Sequence, residues 1–252
     1  MLDQDHFSSY AMGHWLRSDS SGRQVRSAVT GETLGVLGGV PDVAAMRDYA
    51  KSHGGPALRA LNFHDRARML KALALHLKAH RKALYDLSFL TGATLADSQI
   101  DIDGGIGTLL VYASKGRREM PEGFVLPDGE LEVLSRDGSF LGQHVLTPRQ
   151  GISLQINAFN FPVWGMLEKL APSLLAGVPS LVKPASDTGY LTQAVVRLIA
   201  DSGILPDGAL QLIMGATGDL LDCLDAQDTV GFTGSAATAM ALRSRPSLLQ
   251  NA

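Results

Sequence analysis

Polar and glycine residues follow three short apolar runs of this sequence, in positions where they could do chemistry together. Asn160 comes after the first run, Lys183 ends the second, and Gly234-Ser235 follows the last. Ligands of doubly wound α/β folds bind at the carboxyl ends of parallel strands. A carboxamide can donate hydrogen bonds into a cleft, a compact ammonium can bind ribose hydroxyls or phosphate, and the free N–H groups of a helix start can bind a pyrophosphate. Together the three stretches predict a nucleotide-dependent active site at one edge of a sheet.

Strand and helix patterns alternate after residue 150, and they supply the frame that would bring these residues together. Short β-branched runs predict buried strands, and apolar residues three and four apart predict the helices between them. Connections this short imply a parallel sheet with right-handed crossovers, which is a Rossmann-like, doubly wound α/β fold. The predicted strands are 151–156, 180–183, 210–214 and 229–232, and the predicted helices are 163–176, 188–202, 219–226 and 235–244.

The first 120 residues predict strands and helices that belong to the same cofactor domain. Asn62 is the predicted cap of a long helix, with Asp65 in its first turn, and Gly92 is its predicted end. A polar segment with three carboxylates then precedes the next predicted helix. The predicted strands are 10–15, 23–29 and 30–37, with a turn at Thr30-Gly31, the predicted helices are 41–52, 62–90 and 106–118, and the carboxylates are Asp97, Asp101 and Asp103.

The segment 121–150 is polar and rich in turns. Pro127-Asp128-Gly129 and Arg136-Asp137-Gly138 interrupt short alternating runs, which predicts an antiparallel β ribbon. A ribbon with unpaired strand edges is a contact site for another chain, so we expect a homo-oligomer, at least a dimer, that uses this element. The predicted division is 1–120 for the amino-terminal part of the cofactor domain, 121–150 for the ribbon and 151–252 for the βα-repeat nucleotide-binding portion.

Charge and composition argue against several classes of partner. The formal net charge of −3 gives no overall attraction to nucleic acid or to an acidic membrane. No apolar run is long enough to span a bilayer, and the first residues lack the charged and apolar regions of a signal peptide. The single cysteine, Cys223, cannot form a disulfide within the chain. We therefore expect a cytoplasmic protein without nucleic-acid or membrane partners.

Two motifs of short-chain dehydrogenases occur here with the wrong spacing. The glycine pattern that starts at Thr30-Gly31 has its last glycine, Gly38, one residue late. Tyr112 and Lys115 are three positions apart in the chain, whereas that class of enzyme needs them four positions apart on a helix. No Gly-x-Gly-x-x-Gly fingerprint is present either, so a dinucleotide site must be built in another way.

The metal-binding patterns are incomplete as well. His76 and His80 are four residues apart on a predicted helix, but neither a glutamate base nor a third ligand accompanies them, and we interpret both as solvated positions. The carboxylates that begin at Asp97 lack the twelfth-position glutamate of a calcium loop. No metal site is predicted.

The motifs at the three strand ends resemble those of a known enzyme family. Asn160-Phe161-Pro162, Lys183-Pro184-Ala185 and Phe232-Thr233-Gly234-Ser235 look like the amino-terminal half of the NAD(P)-dependent aldehyde dehydrogenase superfamily, and the resemblance extends from about Tyr10 onward. The longer stretches are similar to the dehydrogenase half of the bifunctional phenylacetate-degradation enzymes, whose other half is a hot-dog-fold hydratase. These stretches are 137–140, 156–172 and 232–238.

The resemblance implies an incomplete aldehyde dehydrogenase fold and an enzyme that uses NADP to oxidise a ring-opened CoA-thioester semialdehyde to the acid. Asn160 matches the amide that donates to the substrate oxyanion, and Lys183 matches the residue that holds the adenosine ribose or its phosphate. Further residues would line the two ends of the cofactor. These are Ile156, Asn157, Ala158 and Phe159 on the nicotinamide side, and Gly218, Phe232, Gly234 and Ser235 along the adenine and pyrophosphate path.

Ser186 is an informative departure from the family pattern. Relatives that prefer NAD usually carry a glutamate at this position, three residues after the lysine, where it accepts from the ribose hydroxyls. A carboxylate there would repel a 2′-phosphate, whereas a hydroxyl would not. Ser186 beside Lys183 therefore favours NADP, although Asp187 follows directly and carries the opposite preference.

A second departure concerns the nucleophile. Family members use a cysteine that forms a thiohemiacetal and then a thioester, together with a glutamate base, and both lie carboxyl-terminal to Phe-Thr-Gly-Ser. This chain ends at Ala252, before either motif, and the aspartates around Cys223 should raise the pKa of its thiol. We therefore expect no dehydrogenase activity from this chain alone. The alternative is a stand-alone nucleotide-binding or oligomerisation module, and the coding frame beyond Ala252 would discriminate the two.

Overall fold

The computed structural model describes residues 7–17, 22–39, 41–216 and 218–250, and the backbone of Asn251. Within these ranges the strands are β1 (Ser8–Ala11), β2 (His14–Arg17), β3 (Arg23–Arg26), β4 (Thr33–Leu37), β5 (Leu126–Val133), β6 (Leu141–Leu146), β7 (Ser153–Ile156), β8 (Ser180–Lys183), β9 (Leu210–Leu212) and β10 (Thr229–Phe232). The α-helices are α1 (Val43–Tyr49), α2 (Gly55–Arg59), α3 (Phe63–Ser88), α4 (Leu95–Arg118), α5 (Trp164–Leu175), α6 (Gly189–Ser202), α7 (Ala236–Arg243) and α8 (Pro246–Asn251).

A six-stranded sheet forms the centre of the described structure, in the order β10, β7, β8, β9, β1, β2. The first four strands are parallel, and β1 is antiparallel to both of its neighbours. Ile156 at the end of β7 pairs with Lys183 on one side and with Phe232 on the other. The predicted α/β, Rossmann-like parallel sheet is confirmed, and the carboxyl ends of β7, β8 and β10 lie side by side.

Two apolar cores cover the two faces of this sheet, because successive side chains of a strand point to opposite faces. Leu154 and Leu181 enter one core together with Met46 of α1. Val182 and Leu212 enter the other core, which also contains the buried stripes of α3, α4, α5 and α6. The loop that carries Asn160 joins β7 to α5 and is therefore attached to the larger core.

The two longest helices, α3 and α4, each begin at a capping box, in which the cap side chain and the third helical residue bond each other's backbone N–H. The Asn62 side chain accepts from the N–H of Asp65 at 2.8 Å, as predicted, and Thr94 and Asp97 form the same pair at the start of α4. Gly92 adopts a left-handed conformation just after α3, which confirms it as the end of that segment.

The prediction that a helix begins near residue 106 is wrong. Helix α4 already starts at Leu95, so the three carboxylates between 97 and 103 lie inside it. Two glycines interrupt its apolar pattern because another helix packs there closely. A Cβ atom on Gly104 would lie 2.7 Å from the ring of Trp164 in α5.

Two other predicted elements differ from the structure. Residues 10–15 do not form one strand, because the chain reverses at Met12-Gly13, where both φ angles are positive, to form the β1–β2 hairpin. Residues 219–226 form turns instead of a helix. Asp225 and Asp228 accept backbone N–H groups through their side chains there, and such bonds compete with the helical ladder.

The predicted helix 41–52 is only partly right. Helix α1 ends at Tyr49 and passes into one π-helical turn, Ala50–Gly54, before α2. The altered winding brings Gly54 onto the loop before β9, where a Cβ atom would lie only 2.1 Å from the carbonyl oxygen of Gly208. Close backbone packing, which local periodicity does not reveal, therefore decides this segment.

The predicted β ribbon is present as the antiparallel pair β5–β6, which forms a sheet of its own. Its apolar side chains are largely exposed, among them Val133, Leu141 and Leu146. None of the helices in the described ranges combines the length and the apolar content that crossing a membrane would need.

Candidate functional site

The loop between β7 and α5 is held at both of its ends by the neighbouring elements. At its start, the N–H of Asn157 donates to the carbonyl of Lys183 at 3.0 Å, which extends the β7–β8 pairing by one residue. Two threonines of the next βα unit hold the middle of the loop. The Thr188 hydroxyl donates to the carbonyl of Phe159 at 2.8 Å, and the Thr192 hydroxyl donates to the carbonyl of Pro162 at 2.9 Å.

The end of the loop is fixed by Asp101, which reaches it from α4. The Asp101 carboxylate accepts from the N–H of Trp164 at 2.7 Å and from the N–H of Val163 at 3.2 Å. Helix α5 has no side-chain cap of its own, since its cap position is Val163. Burial raises the pKa of Asp101 to about 6, while these two backbone N–H groups act in the opposite direction.

Asn160 is the exposed apex of this loop. No other described residue forms a hydrogen bond with its carboxamide, which borders a cavity of about 280 Å³. The cavity lies between the loop and the segment around the end of α3 and the start of α4. Its lining residues include Phe159, Phe161, Thr188, Asp97 and Asp101.

Lys183 lies at the carboxyl end of β8 and is only 6% exposed. Its ammonium donates to the carbonyl of Pro184 at 2.7 Å, and burial lowers its pKa. Ser186 follows in the same loop and is half-buried. The carboxylate of Asp187 forms an ion pair with Arg23 of β3, so the negative charge that opposed NADP at this loop is balanced within the chain.

The residues assigned to the nicotinamide side differ in their exposure. Ile156 and Ala158 are half-buried, and Phe159 is exposed. The side chain of Asn157 is buried, and neither its oxygen nor its nitrogen has a hydrogen-bond partner among the described residues. A buried, unpartnered carboxamide at a strand end fits a site that receives a polar group.

The candidate site has a second wall, formed by β10 and α7, which is more open than the 157–164 loop. Ser235 caps α7 by accepting from the N–H of Thr238 at 3.1 Å, and Gly234 packs so closely on the Phe232 ring that a Cβ atom would lie 2.4 Å from it. Gly218 is exposed in the turns after β9, with φ of 48°. Gly218 comes after the carboxyl end of β9, and β9 is parallel to β8. Gly218 therefore lies beyond the same edge of the sheet as the other candidate residues.

These features together fit a dinucleotide. The start of α7 presents free backbone N–H groups that suit a pyrophosphate, and the cation of Lys183 ends the neighbouring β8–β7 unit at the same edge. Of the residues assigned from the sequence, the structure therefore brings Asn160, Lys183 and Ser235 to one edge of the sheet. It adds Asp101, Thr188, Thr192 and Arg23, which sequence reasoning did not assign.

The described residues offer little support for a metal site or for a cysteine nucleophile. No three His, Cys, Asp or Glu side chains in the described ranges lie close enough to hold a metal ion. His80 is exposed, as predicted, but His76 is half-buried and bonds the carbonyl of Leu198 at 3.1 Å. Burial, and next the charge of Asp219, raise the pKa of the Cys223 thiol, which opposes the thiolate that a nucleophile needs.

The chain is similar to known proteins over nearly its whole length. The model of the aldehyde dehydrogenase family matches residues 15–250. The 3,4-dehydroadipyl-CoA semialdehyde dehydrogenase of Aromatoleum evansii is 42% identical over 243 residues, which cover 96% of this chain and 47% of that protein. The chain spans about half the length of the curated relatives it matches.

Solved structures show the same fold. An NADP-dependent enzyme of E. coli superimposes with a TM-score of 0.81 at 23% identity, covering 98% of this chain and 50% of that chain. The NADP-dependent glyceraldehyde-3-phosphate dehydrogenase of Bacillus halodurans, in complex with NADP, superimposes with a TM-score of 0.80 at 22% identity, covering 95% and 50%. At such identities the likeness concerns the fold.

Proposed function

Because this chain belongs to the aldehyde dehydrogenase family, we propose that it forms the cofactor-binding portion of an NADP-dependent enzyme that oxidises an aldehyde to an acid. The observation that carries the proposal is the arrangement of three neighbouring strands. The register of β7 with β8 and β10 places the Asn160 loop between Lys183 and the start of α7. This arrangement supports a site in which an oxyanion donor, Asn160, lies between a ribose or phosphate site at Lys183 and a pyrophosphate site at the start of α7.

Asn160 has a chemical role that fits its position. When a nucleophile adds to an aldehyde, the carbonyl oxygen gains negative charge, and a fixed neutral donor stabilises that charge only as it develops. The exposed carboxamide at the apex of an anchored loop supplies such a donor. NADP, when bound, accepts the hydride, and the residues of β8, β10 and α7 bind and orient it.

The nucleophile and the base come, in this proposal, from sequence outside these 252 residues. The single cysteine of the chain is Cys223, and the pKa of its thiol is raised. This chain by itself is therefore proposed to be inactive as a dehydrogenase. The alternative of a stand-alone nucleotide-binding or oligomerisation module makes the same prediction for the isolated chain and differs only for a longer one.

NADP is the proposed cofactor. A hydroxyl at Ser186 leaves room for a 2′-phosphate, where a carboxylate would repel it. The ion pair between Asp187 and Arg23 supports the same choice, because Arg23 balances the adjacent carboxylate. Lys183 and Arg23 belong to different elements, and both contact the loop after β8: Lys183 donates to the carbonyl of Pro184, and Arg23 pairs with Asp187.

The proposed substrate is a ring-opened CoA-thioester semialdehyde of phenylacetate degradation. Its support is the sequence resemblance and the A. evansii relative, whose name specifies a CoA semialdehyde. We also propose a cytoplasmic homo-oligomer that uses the β5–β6 ribbon. The exposed apolar residues of this ribbon, such as Leu131 and Val133, support that role.

An assay on two chains tests the proposal. NADP reduction by a CoA-linked semialdehyde is measured for this chain and for a chain extended along its reading frame. We expect activity only from the extended chain, with NADP preferred over NAD. Oxidation by the 252-residue chain would contradict the account of the nucleophile, and a preference for NAD would contradict the role given to Ser186. An open reading frame that stops at codon 252, with NADP binding retained, would favour the stand-alone module.

A further inference from the structure

A carboxylate on a different helix provides the cap of α5. Helix starts leave N–H groups without partners inside the helix, and these are usually satisfied by a local Ser, Thr, Asp or Asn. Val163 at the cap position of α5 cannot do this. Asp101 of α4, which is 4% exposed, takes over this role with two contacts to the backbone, at Val163 and Trp164.

These contacts lie within four residues of the proposed oxyanion donor. From Asn160 the chain passes through Phe161 and Pro162 to the two N–H groups that Asp101 holds, and on its other side Phe159 is bonded by Thr188. Asn160 is therefore suspended between two anchors, of which Asp101 is the charged one. Since Asn160 forms no hydrogen bond to a described residue, these anchors act on its backbone, and they fix the point from which its carboxamide projects.

We propose that Asp101 is a positioning residue for the reaction: it holds the backbone of the 157–164 loop so that the Asn160 carboxamide is aimed at the substrate oxygen. The proposal rests on the proposed function of Asn160 as oxyanion donor. Asp101 does not itself touch the reacting atoms, because its oxygens are directed at the backbone of α5. Its action is transmitted through the loop.

The geometry also explains why a carboxylate is suited to this place. One Asp101 oxygen accepts from both N–H groups, and the second oxygen lies 3.3 Å from the N–H of Val163, so both oxygens face donors. The positive end of the α5 dipole favours a negative charge there. A carboxamide of the same shape could keep the acceptor that the two N–H groups share, but its N–H₂ group would replace the second oxygen and face the N–H of Val163 as a donor against a donor.

Asp101→Asn is therefore the informative variant, with Asp103→Asn as its matched control. Asp103 is the next acid on α4, is half-exposed, and bonds the hydroxyl of Tyr85 rather than the loop. Backbone hydrogen exchange is measured by mass spectrometry on this chain. Asp101→Asn should accelerate exchange in peptides that cover 157–167 while the strands of the central sheet stay protected, and Asp103→Asn should leave the loop unchanged. Uniform acceleration across the protein, or no change in the loop, would overturn the proposal.

The second part of the test measures kcat and KM for variants of the catalytically active, extended protein. Asp101→Asn should lower kcat about 10-fold with little change in the KM for NADP, since a misdirected donor weakens the transition state rather than cofactor binding. Combined with Asn160→Ala, it should cause no further loss, because both changes remove the same interaction. Losses that multiply would overturn the positioning role.

The two arms separate this inference from the function on which it rests. If Asn160→Ala leaves kcat unchanged, the oxyanion role is refuted and Asp101 has no donor to position. If Asn160→Ala lowers kcat while Asp101→Asn changes neither kcat nor loop exchange, the function stands and the positioning role fails.

Discussion

Two walls of the candidate site are constructed very differently. The 157–164 loop is bonded to three other elements, through Lys183, Thr188 and Thr192, and Asp101, and α5 after it has seven buried residues. The wall formed by β10 and α7 has a strand that is half-exposed along its length and a helix with no buried residue. In the described structure β10 is an edge strand, paired only with β7.

The 157–164 loop is therefore held by other residues of this chain, whereas β10 and α7 lack described residues that would cover them. The loop that carries Asn160 is held in place by the chain's own core. On the outer side of β10, an open apolar groove of about 390 Å³ is lined by Val230, Phe232, Leu242 and Leu248. Exposed apolar surface of this kind normally contacts another chain or segment. We therefore expect the 157–164 loop to be rigid in this chain, and β10 and α7 to be less rigid than the loop.

The largest effect should come from removing the donor itself. Asn160→Ala in the extended, active protein should lower kcat by about 10² to 10³, the usual cost of one oxyanion donor. The dissociation constant for NADP should stay the same, because the loop backbone is anchored without this side chain. A kcat within about twofold of the unmodified protein would show that the anchored loop serves another purpose.

The buried carboxylate of Asp101, which holds the 157–164 loop, should make the stability of the protein depend on pH. Burial raises the pKa of Asp101 in the folded state to about 6, above its ordinary value of 3.8, so the protein loses stability as the pH rises from about 4 to about 6. Between about pH 4 and about pH 7, the free energy of unfolding measured with denaturant should fall by about 2 kcal/mol more in the unmodified protein than in Asp101→Asn. Parallel curves for the two proteins would contradict the burial of this charge.

A pair of hydroxyl deletions compares the two walls directly. Thr192→Val should lower the free energy of unfolding by about 2 kcal/mol, since it leaves the buried carbonyl of Pro162 without its donor. Ser235→Ala removes the cap of α7 and should cost no more than about 1 kcal/mol, because that helix is exposed. Urea unfolding monitored by circular dichroism gives both values. If Ser235→Ala lowers the free energy of unfolding as much as Thr192→Val or more, the two walls do not differ in the way described.

The smallest expected effect concerns cofactor choice. Arg23→Ala should free the charge of Asp187 and weaken NADP binding about threefold, with NAD binding unchanged, because an exposed ion pair contributes little. Titration calorimetry with the two cofactors measures this. Arg26→Ala is the control, since Arg26 lies on the same strand and bonds Gln24 and the carbonyl of Gly31 instead. An equal loss for both cofactors would remove Arg23 from the specificity argument.

The well-predicted elements are those whose signal is local. β8 and β10 have the predicted bounds because short β-branched runs between turns are unambiguous, and the Asn62 cap follows from the side chains around it. Helix α4 was mispredicted because its glycines meet Trp164, a contact that only the fold creates. The edge arrangement of Asn160, Lys183 and Ser235 follows from strand order.

The missed residues act across the fold. Asp101 caps a helix 62 positions away, so nothing in its neighbourhood indicates the role, although an acid between the buried positions Ser98 and Ile102 of an amphipathic helix could have suggested a buried partner. Arg23 reaches Asp187 from a separate hairpin in the same way. A second signal in the sequence is Val163 itself, because a valine at the cap position of α5 leaves the first N–H groups of that helix without a local acceptor.

Hydrogen exchange of this chain with and without NADP tests the central claim most directly, because it reads both walls in one experiment. We predict that peptides covering 157–167 are protected from exchange without cofactor. Peptides covering 229–243 should exchange quickly and gain protection, together with 183–188, when NADP is added. A loop that exchanges as fast as the β10–α7 wall, or a wall and a Lys183 segment that NADP leaves unchanged, would contradict it.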